Sequence, residues 1–415
     1  EMTSSLVGSE MCIRDSIRKN ETMISLFKHI TQRNIAAFLL VLFCIQYIPL
    51  ESRDGVSYLK LLVSMLCPFI IILKSPWMSK PLLLFFTYYS LVLIAAVSHP
   101  ATLRWSTVLF ASSFMLTYIA YYGLTVINEV FTKEFFVRLI RGLIAAYAIF
   151  LVLQQCLLLV GIKVFPLFNL VQDLGRGIAG NALSYEPSSA AVILSFAFLS
   201  LLRMYEMEEN GKLSLTQLWI KDKWIVIAFV YTMLGLVSGT AMVGLTLIAL
   251  YFVSPRQYLV AIPIIILILL LFFNIDYVPL ERARNSLMAF ITLDKQAVMN
   301  ADGSAAARII PVVNTLTKLD LSSWEGWLGH GVDYGLSKWI FSDRVMLGGI
   351  ADYGFLSFIV MQIAVYTCMI RKFFSLETLL WMFLGMMTLG NVPINWGAMM
   401  LFTTVRYFQT NECDD

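Results

Sequence analysis

The sequence predicts an all-α, polytopic membrane protein with about twelve transmembrane helices. Of its 415 residues, 59% are hydrophobic and only 14% are charged, whereas soluble domains carry roughly 25% charged residues. Apolar runs of roughly 17–25 residues, the length that crosses a bilayer, recur along the whole chain. The net charge of only +3 comes from scattered cations, which excludes a nucleic-acid-binding surface.

The apolar runs define the predicted spans and divide the chain into regions. The spans centre on 34–50, 58–73, 81–98, 105–127, 138–160, 187–204, 223–238, 240–254, 257–275, 345–370, 376–391 and 394–408. They give a helical region at 23–275, a polar loop at 276–344, and a second helical region with the C-terminal tail at 345–415. Residues 1–22 contain SLVGSEMCIRDS and no apolar signal core. We expect them to be a non-native or disordered segment that precedes a natural start at Met23.

Basic residues predict the orientation, because cytoplasmic loops of membrane proteins are enriched in lysine and arginine. With twelve spans, the connections rich in these residues all fall on one side, so we expect that side and both termini to face the cytoplasm. Its cations are Arg14, Arg18, Lys19, Lys28, Arg33, Lys74, Lys80, Lys133, Arg138, Arg141, Arg203, Lys212, Lys221, Lys223, Arg256, Arg371, Lys372 and Arg406. The connections at 161–186 and 276–344 then lie outside. The second exceeds the roughly 60 residues to which the rule applies, and its aromatic and periodic apolar residues predict short helices on the membrane surface.

Cysteine and histidine are too few and too scattered to hold a metal ion. The six cysteines mostly lie in apolar runs, and His29, His99 and His330 are far apart. Zinc sites need clustered ligands of these two types. The sequence therefore predicts no metal, no cofactor and no disulfide framework.

A carboxylate is predicted at the point where the outer connection at 161–186 enters the sixth span. Pro187 suits the first position of a helix, which makes Glu186 the N-cap residue, where the helix dipole favours an anion. There Glu186 can orient or deprotonate a substrate hydroxyl, and the glycines around Arg176 let a ligand approach closely. The alternative is that Glu186 only caps the helix and pairs with Arg176.

The predicted outer side carries five arginines that are candidate phosphate ligands. They are Arg176, Arg282, Arg284, Arg308 and Arg344. Guanidinium groups bind phosphate bidentately, so an outward-facing cationic loop suits a lipid that carries a pyrophosphate. The alternative for each arginine is contact with anionic lipid headgroups or ordinary solvation. His330, in the run GHGVDYG, is either an acid–base group or a turn residue between two glycines.

Several sequence segments occur in an order that is typical of one family. They are an arginine followed by EPSSAA at the start of a helix, VSGTAMVGLTLIAL at a paired-helix turn, a large late loop, WLGHGVDYG, LGGIADYGFLSFIV and NVPINWGAMMLF. In this order and topology they resemble the bacterial O-antigen and polysaccharide repeat-unit polymerases (Wzy-like), which are related to the O-antigen ligases. The resemblance covers most of the chain from about residue 30.

The resemblance implies a GT-C-like glycosyltransferase of the bacterial inner membrane with its active face towards the periplasm. Such an enzyme transfers the growing glycan from undecaprenyl pyrophosphate onto the next lipid-linked repeat unit. The implied partners are undecaprenyl-pyrophosphate-linked oligosaccharides and membrane lipids, with a chain-length regulator as a further candidate and no nucleic acid. Arg176, Arg308 and Arg344 would bind the pyrophosphates, and Glu186 would act on the acceptor hydroxyl.

One departure separates the chain from the ligases, which carry His-Asn-x-x-Leu-(x)6-Gly at the start of the helix after the large loop. Leu347 and Gly354 keep that spacing, but Asp343 and Arg344 replace the histidine and the asparagine. We therefore expect a polymerase, with Asp343 as a substitute for Glu186. The alternatives are a ligase-type transferase and a lipid-linked oligosaccharide flippase, since about twelve spans is also typical of transporters. Paired halves and intramembrane charges would indicate a transporter.

Overall fold

The computed structural model describes residues 31–46, 57–74, 79–162, 179–253, 312, 315, 317, 319–332, 334, 347–390 and 392–411. Within these residues the chain is helical and contains no β-strand, which confirms the predicted all-α class. The expected non-native segment at 1–22, the predicted ninth span at 257–275 and most of the predicted loop at 276–344 lie outside the described residues.

Each predicted span that falls within the described residues contains a helix. In chain order the helices are α1 (Thr31–Cys44), α2 (Tyr58–Lys74), α3 (Lys80–Ser98), α4 (Trp105–Tyr122), α5 (Lys133–Leu159), α6 (Pro187–Glu208), α7 (Leu215–Gly235), α8 (Gly239–Phe252), α9 (Trp324–Leu328), α10 (Ile350–Cys368), α11 (Leu376–Phe383) and α12 (Pro393–Asn411). Helix α4 continues into one π-helical turn at Gly123–Ile127. Helix α9 is a short helix within the predicted outer loop.

Five of these helices are long and apolar enough to cross a membrane. They are α3, α4 with its π-helical turn, α5, α6 and α10. Helices α1, α2 and α8 are also apolar but shorter than 18 residues. The described residues therefore indicate a membrane protein, and the total of about twelve spans stays a prediction.

Helix α6 is the most deeply enclosed of the five membrane-spanning candidates, and it packs against α5, α8 and α12. Every residue from 190 to 202 is buried, as expected for a helix that is apolar on all sides. Phe198 stacks on Phe229 of α7 with ring centroids 4.0 Å apart. Phe196 packs against Phe402 of α12 at 4.6 Å. This packing on several sides fixes the positions of both ends of α6.

Buried hydroxyl groups connect α4 to α12. The hydroxyl groups of Tyr118 and Thr403 are 3.0 Å apart, and those of Tyr121 and Thr404 are 2.6 Å apart. Polar side chains that face each other between membrane helices hydrogen-bond because no water is present to replace the partner. These two pairs set the register of α4 along α12.

The predicted eleventh span at 376–391 is helical only as far as Phe383, where α11 ends. Residues 384–390 are irregular, and both Met386 and Met387 have a φ of 53°. This left-handed conformation interrupts the helix. An apolar run alone cannot reveal it, because the side chains of the segment are as hydrophobic as those of a helix.

Side chains of neighbouring helices hydrogen-bond to the backbone of this irregular segment. Asn395 in α12 donates both hydrogens of its amide group, to the carbonyls of Gly385 at 3.0 Å and Thr388 at 2.7 Å. Two more carbonyls of the segment are bonded in the same way, Met387 by Gln362 at 3.1 Å and Gly390 by Trp396 at 2.9 Å. Irregular backbone is tolerated in an apolar bundle only when its polar groups are satisfied in this way.

Replacing Asn395 with alanine should destabilise the protein by about 2 kcal/mol or more, since each buried acceptor left without its donor costs about 1–3 kcal/mol. The thermal unfolding midpoint of the purified protein in detergent measures the effect. Asn411→Ala makes the same chemical change at the exposed end of the same helix, and it should change stability by less than about 0.5 kcal/mol. Equal midpoints for the two variants would contradict the assigned role of Asn395.

Candidate functional site

The two ends of the bundle differ in charge. We call them the Glu186 end, at the N-terminus of α6, and the Arg203 end, at its C-terminus. At the Arg203 end, ion pairs join α6 to α11 (Arg203 to Glu377, 2.6 Å) and α5 to α7 (Arg141 to Asp222, 2.8 Å). The described cations of the predicted cytoplasmic side gather there: Arg33, Lys80, Lys133, Arg138, Arg141, Arg203, Lys212, Lys221, Lys223, Arg371, Lys372 and Arg406.

The segment before α6 is held in place by a glutamine of α5. The buried Gln154 accepts hydrogen bonds from the backbone N–H groups of Asn181 at 3.1 Å and Ala182 at 2.7 Å. Its own amide donates to the Asn181 side chain at 2.9 Å and to the Ala182 carbonyl at 3.0 Å. The Gln154 side chain thus supplies the hydrogen-bond partners that the backbone of this buried turn would otherwise lack.

Two further contacts join this segment to α1 and α5. Gln46, just after α1, accepts a hydrogen bond from the Tyr185 backbone N–H at 2.8 Å. The hydroxyl of Tyr147 in α5 donates to the Cys44 carbonyl at 2.6 Å and lies 3.1 Å from the Ser184 hydroxyl. The turn that leads into Glu186 is therefore held by three side chains, two from α5 and one from the end of α1. The roles of Gln46, Tyr147 and Gln154 were not predicted, because each shows in the sequence only as a polar group within or beside an apolar run.

Glu186 is the N-cap residue of α6 and Pro187 is its first residue, as predicted. The carboxylate makes no hydrogen bond to the backbone of the first turn. It is exposed and accepts a hydrogen bond from the Ser188 hydroxyl at 3.0 Å. A rigid corner thus presents an exposed carboxylate to the surroundings of the bundle. The alternative pairing with Arg176 concerns a residue outside the described part of the chain.

The loop that follows α9 packs directly on the start of α10. The backbone N–H groups of His330 and Gly331 donate to the carbonyls of Ala351 and Asp352, both at 3.0 Å. Gly329 and Gly354 have positive φ values of 92° and 83°. A Cβ atom added at Gly329 would overlap the Asp352 carbonyl, and one added at Gly354 would overlap the Trp327 carbonyl. The backbone at 329–331 is therefore in contact with the backbone at 351–354. Only glycine at positions 329 and 354 leaves room for this contact.

The start of α9 is fixed by short polar side chains. Ser323 is the N-cap and accepts a hydrogen bond from the Gly326 N–H at 3.2 Å. Asp320 accepts from the hydroxyl and the N–H of Ser322, at 2.6 and 2.9 Å. These two donors lower the pKa of the exposed Asp320 carboxyl.

His330 lies at the same end of the bundle as Glu186. Its Nδ1 is 3.2 Å from the Ala351 carbonyl at the N-terminal end of α10, and its ring stacks on Tyr334 with centroids 4.3 Å apart. The opposite ends of α6 and α10 meet at the Arg203 end, where Arg203 and Met369 line one cavity. The contacts of Glu186 and of His330 are nevertheless separate, because no hydrogen bond or ion pair within the described residues joins the two side chains.

The other predicted site residues lie outside the described part of the chain. They are Arg176, Arg282, Arg284, Arg308, Asp343 and Arg344. Among the described residues, no group of three or more His, Cys, Asp or Glu side chains is arranged to hold a metal ion. The described cavity of about 570 Å³ lies at the Arg203 end, so it is distinct from the predicted glycan site at the Glu186 end.

Gly354→Ala should detach the loop of His330 from α10, because the added methyl group overlaps the Trp327 carbonyl and the positive φ disfavours alanine. A cysteine at Val332, which is buried and belongs to that loop, reports the detachment in a background without other reactive cysteines. We expect maleimide to label it slowly in the parent and quickly after Gly354→Ala. Gly142→Ala, at a position in α5 with open space around it, is the matched control and should leave labelling slow. Slow labelling in both variants would show that the loop does not depend on this contact.

No family model, curated protein or solved structure matches this chain. The family resemblance therefore rests on the quoted sequence segments alone and stays a prediction.

Proposed function

We propose that this chain is an integral-membrane glycosyltransferase that joins undecaprenyl-pyrophosphate-linked oligosaccharide repeat units into a surface polysaccharide. One observation supports the proposal: three of the segments behind the resemblance lie at one end of the bundle. The EPSS corner lies at that end, together with LGHGVDYG and the IADYG segment on which it packs. The EPSS corner is far in the sequence from the other two segments, so its location at the same end is not a consequence of local structure.

The charge difference between the two ends supports the proposed orientation. Lysine and arginine gather at the Arg203 end, and cytoplasmic ends of membrane proteins are enriched in these residues. The Glu186 end would then face the periplasm of a bacterial inner membrane. Large apolar side chains on the outer faces of α2 and α3, such as Phe69 and Phe86, are exposed, which supports contact with membrane lipids.

The proposed reaction displaces a pyrophosphate from the donor glycan. The hydroxyl oxygen of the acceptor sugar forms a bond to the anomeric carbon while the bond from that carbon to the pyrophosphate oxygen breaks. Glu186 accepts the hydroxyl proton, and undecaprenyl pyrophosphate leaves with the bonding electron pair. The developing negative charge requires fixed cations, for which Arg176, Arg308 and Arg344 are the proposed groups and Arg282 and Arg284 are further candidates. Asp343 and His330 are alternative proton acceptors, and a chain-length regulator remains a proposed partner.

A lipid-linked oligosaccharide flippase is the second candidate. The irregular segment at 384–390, which interrupts the predicted eleventh span, favours it. Transporters bind substrates at discontinuous helices whose backbone lines a cavity. In this chain, however, carbonyls of the irregular segment accept hydrogen bonds from Asn395, Gln362 and Trp396. These carbonyls therefore already have partners within the protein, which argues against a substrate-binding role for them. Purified protein in liposomes separates the two functions: a polymerase lengthens the lipid-linked glycan, whereas a flippase moves it across the bilayer at constant length.

Glu186→Gln should slow chain extension by about 100-fold or more, which is the range of general acid–base catalysis. The variant keeps an oxygen that can accept from Ser188 and removes only the charge. Glycan ladders formed by purified protein from lipid-pyrophosphate oligosaccharide measure the rate. Glu209→Gln changes the C-cap residue of the same helix and should extend chains at the wild-type rate. A wild-type ladder from Glu186→Gln would make Glu186 a structural residue.

Arg176→Ala and Arg308→Ala should each block chain extension and leave membrane insertion intact, because each removes a proposed cation from the pyrophosphate pocket. Ladder formation and the amount of protein in the membrane fraction are measured in parallel. Arg176→Lys and Arg308→Lys test whether a point charge suffices, since lysine cannot form the bidentate contact. Normal ladders from both alanine variants would refute the assignment of these two arginines.

A further inference from the structure

Helix α7 is broken near its start, at the Arg203 end of the bundle. Asp222 has a φ of −151° and a ψ of 50°, whereas an α-helix has values of about −63° and −42°. A residue with such angles interrupts the helical hydrogen bonds and kinks the helix. We call residues 215–221, which precede the break, the proximal segment of α7. They lie outside the predicted seventh span, which begins at 223.

The break is held in place by contacts of the Asp222 side chain with two other helices. The carboxylate is buried, and its Oδ2 lies 2.8 Å from Nε of Arg141 in α5. It also accepts a hydrogen bond from the hydroxyl of Tyr205 in α6 at 2.8 Å. A buried carboxylate without such partners is costly, so these contacts keep Asp222 against the bundle and the break at this residue.

Both ends of the proximal segment are fixed as well. Ser214 and Gln217 form a capping box, in which the Ser214 hydroxyl accepts from the Gln217 N–H at 3.2 Å and the Gln217 side chain accepts from the Ser214 N–H at 2.8 Å. At the other end, Lys221 pairs with Glu208 and Glu209 beside the C-terminus of α6, at 2.8 and 2.7 Å. A capping box starts a helix in its own right, so the proximal segment is a separate short helix attached to the end of α6.

The proximal segment exposes large apolar side chains although charged residues surround it. Ile220 is 80% exposed, Leu215 57% and Trp219 48%. Directly after the break, Trp224 is 70% exposed, and the Lys223 amine lies 5.5 Å from the centre of its ring. Exposed apolar patches mark contacts with a membrane or a protein. Tryptophan beside lysine is typical of the level of the lipid headgroups.

The remainder of α7 indicates that a bilayer covers this patch. Residues 225–235 contain no charged side chain, and Ile227, Val230 and Leu234 are exposed along them. This apolar outer surface is continuous with the patch on the proximal segment. The helix breaks where the charged residues 221–223 precede the uncharged part, so the change from water to hydrocarbon coincides with the break.

We propose that the proximal segment lies in the plane of the membrane surface, with Leu215, Trp219 and Trp224 inserted between the lipid headgroups and the upper acyl chains. Helices with one apolar face bind at this boundary. Leu215 and Trp219 are four residues apart and therefore share a face of the helix. The partner is the bilayer itself, on the side that the proposed orientation assigns to the cytoplasm.

Such a segment would set the depth of the whole bundle in the membrane. It is joined to α6 by Lys221 and, through Asp222, to both α5 and α6. Helix α6 has 22 residues and is therefore about 33 Å long, close to the roughly 30 Å of the hydrocarbon core. Holding its C-terminus at one membrane surface places Glu186 at the opposite surface.

The test measures the depth of single cysteines that carry an environment-sensitive fluorophore, in a background without other reactive cysteines. The full-length chain is reconstituted into vesicles of phosphatidylcholine and phosphatidylglycerol that contain a nitroxide either near the headgroup or in the middle of the acyl chain. At Leu215→Cys we expect a larger loss of fluorescence with the shallow nitroxide than with the deep one. If α7 were straight, position 215 would lie about 12 Å beyond Lys223, in water, where neither nitroxide quenches.

Two further positions calibrate the measurement. Leu234→Cys lies about 16 Å along the helix from Lys223, near the middle of the bilayer, and should lose more fluorescence to the deep nitroxide. Asn411→Cys, exposed at the end of α12 at the same end of the bundle, should lose little to either. Asp222→Ala removes the contacts at the break and favours a continuous helix, so it should abolish the shallow quenching of the label at 215.

A label at 215 that is quenched as little as the label at 411 would overturn the proposal, since the segment would then lie in water or against another protein. Stronger quenching at 215 by the deep nitroxide would also overturn it, because the segment would then be part of a membrane span. Unchanged shallow quenching in Asp222→Ala would contradict the role given to the Asp222 contacts. None of these results depends on chain extension, so they stand apart from the proposed function.

Discussion

The described fold depends on satisfying backbone polar groups in places where helices stop inside an apolar bundle. Each such group left unbonded away from water costs free energy. Side-chain amides supply the missing partners: Gln154 bonds the turn at 181–182, Gln46 bonds Tyr185, and Asn395 bonds the segment after α11. These few polar residues allow irregular backbone to exist next to a helix as enclosed as α6.

The consequence is a corner whose position is determined by the fold itself. The packing around α6 fixes the position of the helix, and the side-chain amides fix the turn before it. Glu186, at the end of that turn, is exposed. On the same end, the loop of His330 is fixed to α10 by paired backbone bonds and by Gly329 and Gly354. In the proposed glycosyl transfer, such preorganised groups would lower the reaction barrier, because no free energy is used to order them during the reaction. The charged Arg203 end, by contrast, is suited to anchor the bundle at the membrane surface.

Hydropathy and helix signals predicted the elements that depend on local sequence. The positions of α3, α4, α5 and α6 followed from their apolar runs, and Pro187 predicted that Glu186 is an N-cap. The end of α11 at Phe383 was missed, because Met386 and Met387 are apolar and their left-handed backbone leaves no trace in hydropathy. Gln154 was missed because its partner Asn181 lies 27 residues away. The pair of Arg203 and Glu377 spans 174 residues, and such distant partners cannot be inferred from one sequence.

The central claim is that side-chain amides hold the turn before Glu186 rigid, and hydrogen–deuterium exchange of the purified, membrane-embedded protein tests it most directly. The N–H groups of Asn181, Ala182 and Tyr185 belong to no helix but are bonded to Gln154 and Gln46. The account predicts that these three exchange as slowly as the buried turns of α6, since exchange reports the opening of such bonds. Exchange at the rate of an unstructured peptide would contradict it.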